Sequence, residues 1–403
     1  MIKISDREKL KPWMGIVLFI LVVVFSLTAG NYVQTRFGLM GLVITEASFV
    51  VFTLLFCRLR GVKISEVLPV KKISIAEIFG IVLMTAGGYS LATAFSGISI
   101  LLMPKQAALS DELNSFLTGN GSSPVVLILV IALLPAVCEE ILMRGGFLSC
   151  FRSLKKDWLI VLIVAVAFGL FHIYPFRYLG TGCLGAILAY IMVKKNNILL
   201  PMLLHFINNS IGVIQGMGAQ DSGSVTALLA FNDRTTLLAS YLMFAIPAPI
   251  LLMSGAALLN SDARKAKNYV IASTAALVLL FSGVGLSMHA SRSAMAEGTL
   301  LNWNYAYKVT DDFYNYTNLA ECNITLEKDQ PYNFDINAAA ADTEISFNIY
   351  NENDELVFTK KAAGLLSVSE DLKLQPGIYK MEFNAGDEIV GKNFRYKAVV
   401  SET

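Results

Sequence analysis

Apolar residues run through the first three quarters of the chain in stretches about twenty long, broken by short polar segments. A bilayer core of roughly 30 Å takes about 20 helical residues to cross, and helix is the state that leaves no backbone group unpaired in lipid. The runs predict spans near 14–32, 38–57, 78–103, 124–150, 158–175, 178–193, 197–216, 236–259 and 268–288, nine in all. The first run follows a basic segment in the manner of a signal peptide, but it is long and more spans follow, so it is expected to remain as an anchor.

From about residue 300 the period changes from that of helices to two. Ile345, Phe347 and Ile349 alternate with Glu344, Ser346 and Asn348, and Asn351 to Asp354 supply a turn before Leu356 and Phe358. Tyr379, Met381 and Phe383 alternate with Lys380 and Glu382 after the turn pair Pro376 and Gly377, and Phe394 and Tyr396 resume the pattern. Such alternation marks strands with one buried face. The expected fold class is therefore an all-α polytopic membrane protein of about nine transmembrane helices followed by a small all-β domain, a β-sandwich. The expected domains are N-terminal transmembrane helices (1–122), a core (123–216), C-terminal transmembrane helices (217–290), a linker (291–299) and the β domain (300–403).

Composition agrees with this division. The chain is 55% hydrophobic and 16% charged, against roughly 25% charged in a soluble domain. Residues 1–290 carry a formal charge of +9 and residues 291–403 one of −8, which the overall +1 conceals. That distribution does not suggest nucleic-acid binding; the bilayer is the expected surrounding. Positively charged flanks stay on the cytoplasmic side. With the N-terminus inside, seventeen Lys and Arg from Lys3 to Lys267 fall on that side and four, Arg36, Lys105, Arg177 and Arg234, on the other. Nine crossings then place the β domain outside the cell membrane, available to an envelope-surface partner. Five scattered cysteines form no disulfide framework or CxxC site.

Ionisable groups inside a span cost about 2.5–3.5 kcal/mol each at the centre on insertion scales, which makes them functional candidates. The fourth span holds Glu139, Glu140 and Arg144. Glu140 and Arg144, four apart, share a helix face and form an ion pair there, and Glu139 lies about 100° away. The bland alternative is that Arg144 snorkels at a helix end. The fifth span holds Phe168 and His172, and the seventh His205 and Asn209. At 1.5 Å per residue, Glu139 lies ~20 Å from Arg152, His172 ~21 Å from Trp158, and His205 and Asn209 ~12 and ~18 Å from Asn197, all at interior depth. Pro135 and Pro201 each stand four residues before a motif residue and remove a backbone bond in the preceding turn, which either makes room for a water and a substrate or is simply the tolerance of membrane helices for proline.

Glu139-Glu140-x-x-x-Arg144, Phe168-x-x-x-His172 and His205-x-x-x-Asn209, in this order on separate spans, resemble the CPBP family, which includes type II CAAX prenyl endopeptidases and bacteriocin-immunity (Abi) proteins. The resemblance covers roughly residues 123–216. It implies an intramembrane endopeptidase acting on a peptide or membrane-protein substrate, in which Glu139 with His172 activates a water, His205 and Asn209 stabilise the oxyanion, and Glu140 and Arg144 hold the site together. Cofactors stay open: no cofactor is required by this scheme, yet Glu139, His172 and His205 could bind Zn2+ with an open position for water. Two other classes compete, a non-catalytic immunity or scaffold protein of the same fold and a transporter. Intact motifs argue against the first, and the lack of related halves against the second.

Overall fold

The computed structural model describes residues 10–118, 121–219, 225, 228–229, 232, 234–296, 299–309, 318–390 and 392–402. Lys3, Arg7 and Lys9, part of the charge bias, lie outside the described residues, as does Thr403. Two compact units emerge: residues 1–217 with 238–284, and residues 218–237 with 285–403.

The first unit is helical. Its long elements are α1 (Pro12–Phe37), α2 (Leu39–Arg60), α3 (Ile75–Leu102), the short α4 (Ala107–Thr118), α5 (Pro124–Phe147), α6 (Asp157–Phe171), α7 (Tyr178–Lys195), α8 (Leu199–Ala219), α9 (Arg234–Leu259) and α10 (Ala266–Ala296). Among the described residues, seven helices are long and apolar enough to cross a membrane: α1, α2, α3, α5, α7 with the turn before it, α9 and α10. The chain is a multi-pass membrane protein.

All nine sequence-derived spans fall on helices, and two have a character of their own. α6 has 15 residues and stops at Phe171 rather than 175. Its end is set by Ile173, whose φ of 64° is left-handed, and by Pro175, which disfavours helix in the residue before it. α8 has 21 residues but carries His205, Asn208, Asn209 and Gln215, which lower its hydropathy and keep it out of the seven. α5 runs through Gly145 and Gly146 and ends short of Arg152. α10 continues to Ala296, through the first residues of the expected linker.

Apolar packing fixes the bundle. Phe147, Phe151, Phe168 and Phe171 join Leu18, Phe49 and Met192 in one buried cluster that draws on α1, α2, α5, α6 and α7. A second cluster, with Ile81, Met84, Leu188, Leu204 and Leu259, ties α3, α7, α8 and α9. α6 and α7 pack side by side, as do α3 and α9, and α7 also lies against α3.

The second unit is an antiparallel sheet of six strands: β1 (Thr299–Lys308), β2 (Ala320–Leu326), β3 (Gln330–Tyr350), β4 (Leu356–Leu374), β5 (Gly377–Ala385) and β6 (Asn393–Glu402). The long β3–β4 hairpin organises it. The first half of β3 pairs with β6, and its second half pairs with β5. Between them the register slips from Ala339 to Glu344, Asp342 has φ 49° and, on β4, Gly364 has φ 75°. The hairpin therefore bends, and each half heads its own arm, β4-β3-β6-β1 and β4-β3-β5-β2, giving the sandwich-like form that the alternation predicted. Ile345, Phe347, Ile349, Met381, Phe383 and Phe394 are all fully buried in its core, while Glu344 is exposed.

Candidate active site

Glu140 and Arg144, one turn apart on α5, form the ion pair expected of their spacing. Arg144 Nη1 donates to Glu140 Oε1 at 2.8 Å, and neither side chain touches solvent. Isolated buried charges are prohibitive, so a pair at this depth persists only with further polar partners. Arg144 Nη2 donates to the Gly185 carbonyl on α7 at 3.1 Å, and its guanidinium carbon sits 4.4 Å from the centre of the Phe168 ring on α6. The glycine is required: a Cβ at 185 would come within 2.8 Å of Phe168 Cβ. Glu140 Oε1 also lies 2.9 Å from Nδ1 of His205 on α8. One buried pair thus ties α5 to α6, α7 and α8.

Glu139, one residue back, stands apart from this network. It is almost fully buried, and its Oε2 has no hydrogen-bond partner among the described residues. His205, Glu140, Arg177 and Arg144 all act on it electrostatically.

His172 follows the last residue of α6, where carbonyls lack their helical donor. Its backbone N–H turns to Gly169, and its Nδ1 lies 2.9 Å from the Phe168 carbonyl. A carbonyl only accepts, so Nδ1 carries the proton and Nε2 of the neutral ring is the acceptor. The Phe168 ring meets both imidazoles edge-on, with centroids 4.9 Å from His172 and 5.8 Å from His205. The Ile173 carbonyl is held by the Tyr178 hydroxyl at 2.7 Å.

Asn209 is the least committed member. Its Nδ2 lies 3.5 Å from the Ile131 carbonyl, a long contact. Ile131 stands four residues before Pro135, which has no N–H to give it, so the proline supplies the free acceptor. Wide π-type turns at Ile128–Leu133 and Ile141–Phe147 flank the Glu139–Glu140 segment, the kind of local loosening that recurs at functional sites.

The fold thus joins Glu140, Arg144 and His205 directly, sets His172 beside them through Phe168, and surrounds Glu139 with their charges. No hydrogen bond among the described residues joins Glu139 to His172, or Asn209 to His205. Glu139, His172 and His205 do not gather as a ligand set, since no cluster of three or more His, Cys, Asp or Glu able to hold a metal occurs among the described residues.

Two groups are added that sequence reasoning passed over. Glu46 on α2 is buried, has an unpartnered Oε2 among the described residues and interacts with Glu139. Its signal was available, as a carboxylate in mid-span by the same rule that selected Glu139. Arg177, counted only as a loop charge, also acts on Glu139 and on His172.

Residues 121–211 match the family model of type II CAAX prenyl endopeptidase Rce1-like proteins. The stretch contains all seven motif residues from Glu139 to Asn209, in keeping with the CPBP resemblance. No curated protein matches the chain. At family level the match supports a protease of the CAAX intramembrane type, with a peptide substrate and a bilayer around it.

Proposed function

We propose that the chain is an intramembrane endopeptidase in which Glu139 is the general base. The observation that carries this reading is the unequal use of two adjacent carboxylates. Glu140 is held through Oε1 by both Arg144 and His205, with its Oε2 unpartnered like that of Glu139, whereas neither Arg144 nor His205 forms a hydrogen bond to Glu139 among the described residues. One glutamate is structural and the other is free to exchange a proton.

In this reading Glu139 takes one proton from a water, whose second O–H is given to His172 Nε2, and the water oxygen attacks the peptide carbonyl carbon. Negative charge gathers on the carbonyl oxygen. The Asn209 amide and His205 are the donors to it. Glu140 orients the His205 ring through Nδ1 and, when that ring is doubly protonated, leaves Nε2–H to donate, the role a carboxylate plays toward histidine in a triad. Collapse of the tetrahedral intermediate breaks the C–N bond, and the proton held by Glu139 passes to the leaving amine. The acid product gives up its remaining hydroxyl proton to the amine, so the products are a carboxylate and an ammonium, and Glu139 and His172 are regenerated. No step in this scheme is routed through a metal.

The substrate is a peptide segment or membrane protein that reaches the bundle within the bilayer. The β domain, with its own core, is read as an extracytoplasmic module for contact at the envelope surface. The test is peptide cleavage by purified protein in proteoliposomes. Wild type should hydrolyse a susceptible peptide and Glu139→Gln should not; activity at the wild-type rate in that variant would reject Glu139 as the base.

A further inference from the structure

The helical unit carries an open groove of about 660 Å3 among α3, α6, α7, α9 and α10, and none of the seven motif residues lines it. That volume lies within the range of small-molecule sites and far above a packing defect. Small side chains create it: Ala186, Ala256, Ala263, Ala272 and Ala275 all face the space.

The lining is sorted along its length. Lys194, at the last turn of α7, lines the groove together with Asn260, Asp262 and Asn268, which fall between or at the facing ends of α9 and α10. Further along the same helices the walls are Ile187, Leu252, Pro249, Ala272 and Ala275, with Met84 of α3. The eleven helical steps from Asn260 back to Pro249 span ~16 Å. A polar end therefore leads into an apolar groove three turns long that is open along one side. A peptide would bring backbone N–H and C=O groups along its whole length, and beyond the polar end the walls, Tyr190 apart, are apolar and give them few partners. An amphiphile with one polar end meets every wall.

The polar end also specifies charge. Lys194 and Asp262 are its charged lining residues, of opposite sign and within electrostatic reach of each other. Lys194 is paired with Asp157 at 2.8 Å, with side chains 29% and 53% exposed, and an exposed pair of this kind is weak enough for a phosphate to share the ammonium. The Asp262 carboxylate is exposed and acts as acceptor only. A headgroup carrying both a phosphate and an N–H-bearing ammonium complements the two.

We infer that this groove is a binding site for a phospholipid with a primary-ammonium headgroup, its phosphate at Lys194, its ammonium at Asp262 and one acyl chain along the apolar walls between α9 and α10. Quaternary ammonium offers Asp262 no N–H, and an anionic glycerol headgroup brings the carboxylate no cation. The lipid fills the space that the alanines leave.

Full-length protein in detergent, freed of lipid, is titrated with palmitoyl-oleoyl phosphatidylethanolamine, phosphatidylcholine or phosphatidylglycerol, and retained lipid is counted by native mass spectrometry. One phosphatidylethanolamine per chain is expected, held about tenfold more tightly than the other two, the scale of one charge-assisted hydrogen bond. Asp262→Asn should reduce that preference to near parity with phosphatidylcholine, and Ala272→Phe, which fills the groove, should abolish retention of all three. Equal retention of the three lipids by wild type, or a preference that survives Asp262→Asn, overturns the proposal. So does retention by a folded Ala272→Phe protein. Should that variant fail to fold, Asp262→Asn, at an exposed position, decides alone.

Discussion

His205 Nδ1 and Glu140 Oε1 lie 2.9 Å apart although 65 positions separate them in the chain. The contact places a ring from α8 on the carboxylate that α5 already shares with Arg144. The catalytic reading depends on it, because it occupies Glu140 and orients His205 in one stroke while Glu139 stays outside the network.

Glu139→Gln preserves volume and hydrogen bonding but cannot accept a proton. Turnover should fall by about 100- to 10,000-fold, the range for loss of a general base, with helicity and detergent elution unchanged. Circular dichroism alongside the peptide assay separates this from misfolding.

Arg144→Ala should act through stability first. It strands the Glu140 carboxylate in a site with no solvent contact, at a cost of about 3–5 kcal/mol. Purified yield and the midpoint of thermal unfolding should both drop. Arg144→Lys should restore only part of the loss, since an ammonium lacks the planar fork that reaches both Glu140 and the Gly185 carbonyl while stacking on Phe168. Unfolding at the wild-type midpoint in Arg144→Ala would show that the pair is not desolvated.

Asn209→Ala should lower kcat by about 100- to 1,000-fold with little change in KM, as expected of a donor that matters in the transition state. Its one contact with Ile131 is long at 3.5 Å, so stability should hardly move. A rise in KM with kcat intact would move Asn209 from oxyanion donor to substrate contact.

The β domain, residues 300–403 expressed alone, should fold and unfold cooperatively. Its core from Val309 to Val400 is drawn from its own strands and the turns between them, and a module with its own core can fold alone. A fragment with the circular dichroism of a random coil would show that it depends on the helical unit.

Orientation rests on the seventeen-to-four charge bias read from the sequence. A tag after Thr403 should be reached by a membrane-impermeant label on intact cells, and one before Lys3 only after lysis. Equal access at both ends would mean an even number of crossings.

What the sequence determined by itself was everything set by local spacing. Length and apolarity gave the helices, since lipid enforces backbone pairing within each segment. The four-residue step gave the Glu140–Arg144 pair, and alternation gave the strands that bury Ile345, Phe347 and Ile349. Tertiary structure decided the rest. Depth along each helix put the motif residues at similar levels but held no information on rotation about the axes, which alone brings His205 to Glu140 and sets Phe168 under Arg144. The backbone partners at Gly185 and Ile131 carry no side-chain signature, so no sequence pattern marks them. The early stop of α6 depends on Ile173 holding a left-handed φ that its β-branched side chain disfavours, with the Tyr178 hydroxyl on its carbonyl. Only packing between helices can hold such a residue there, and that packing makes His172 a cap on Phe168 rather than one more residue in a span.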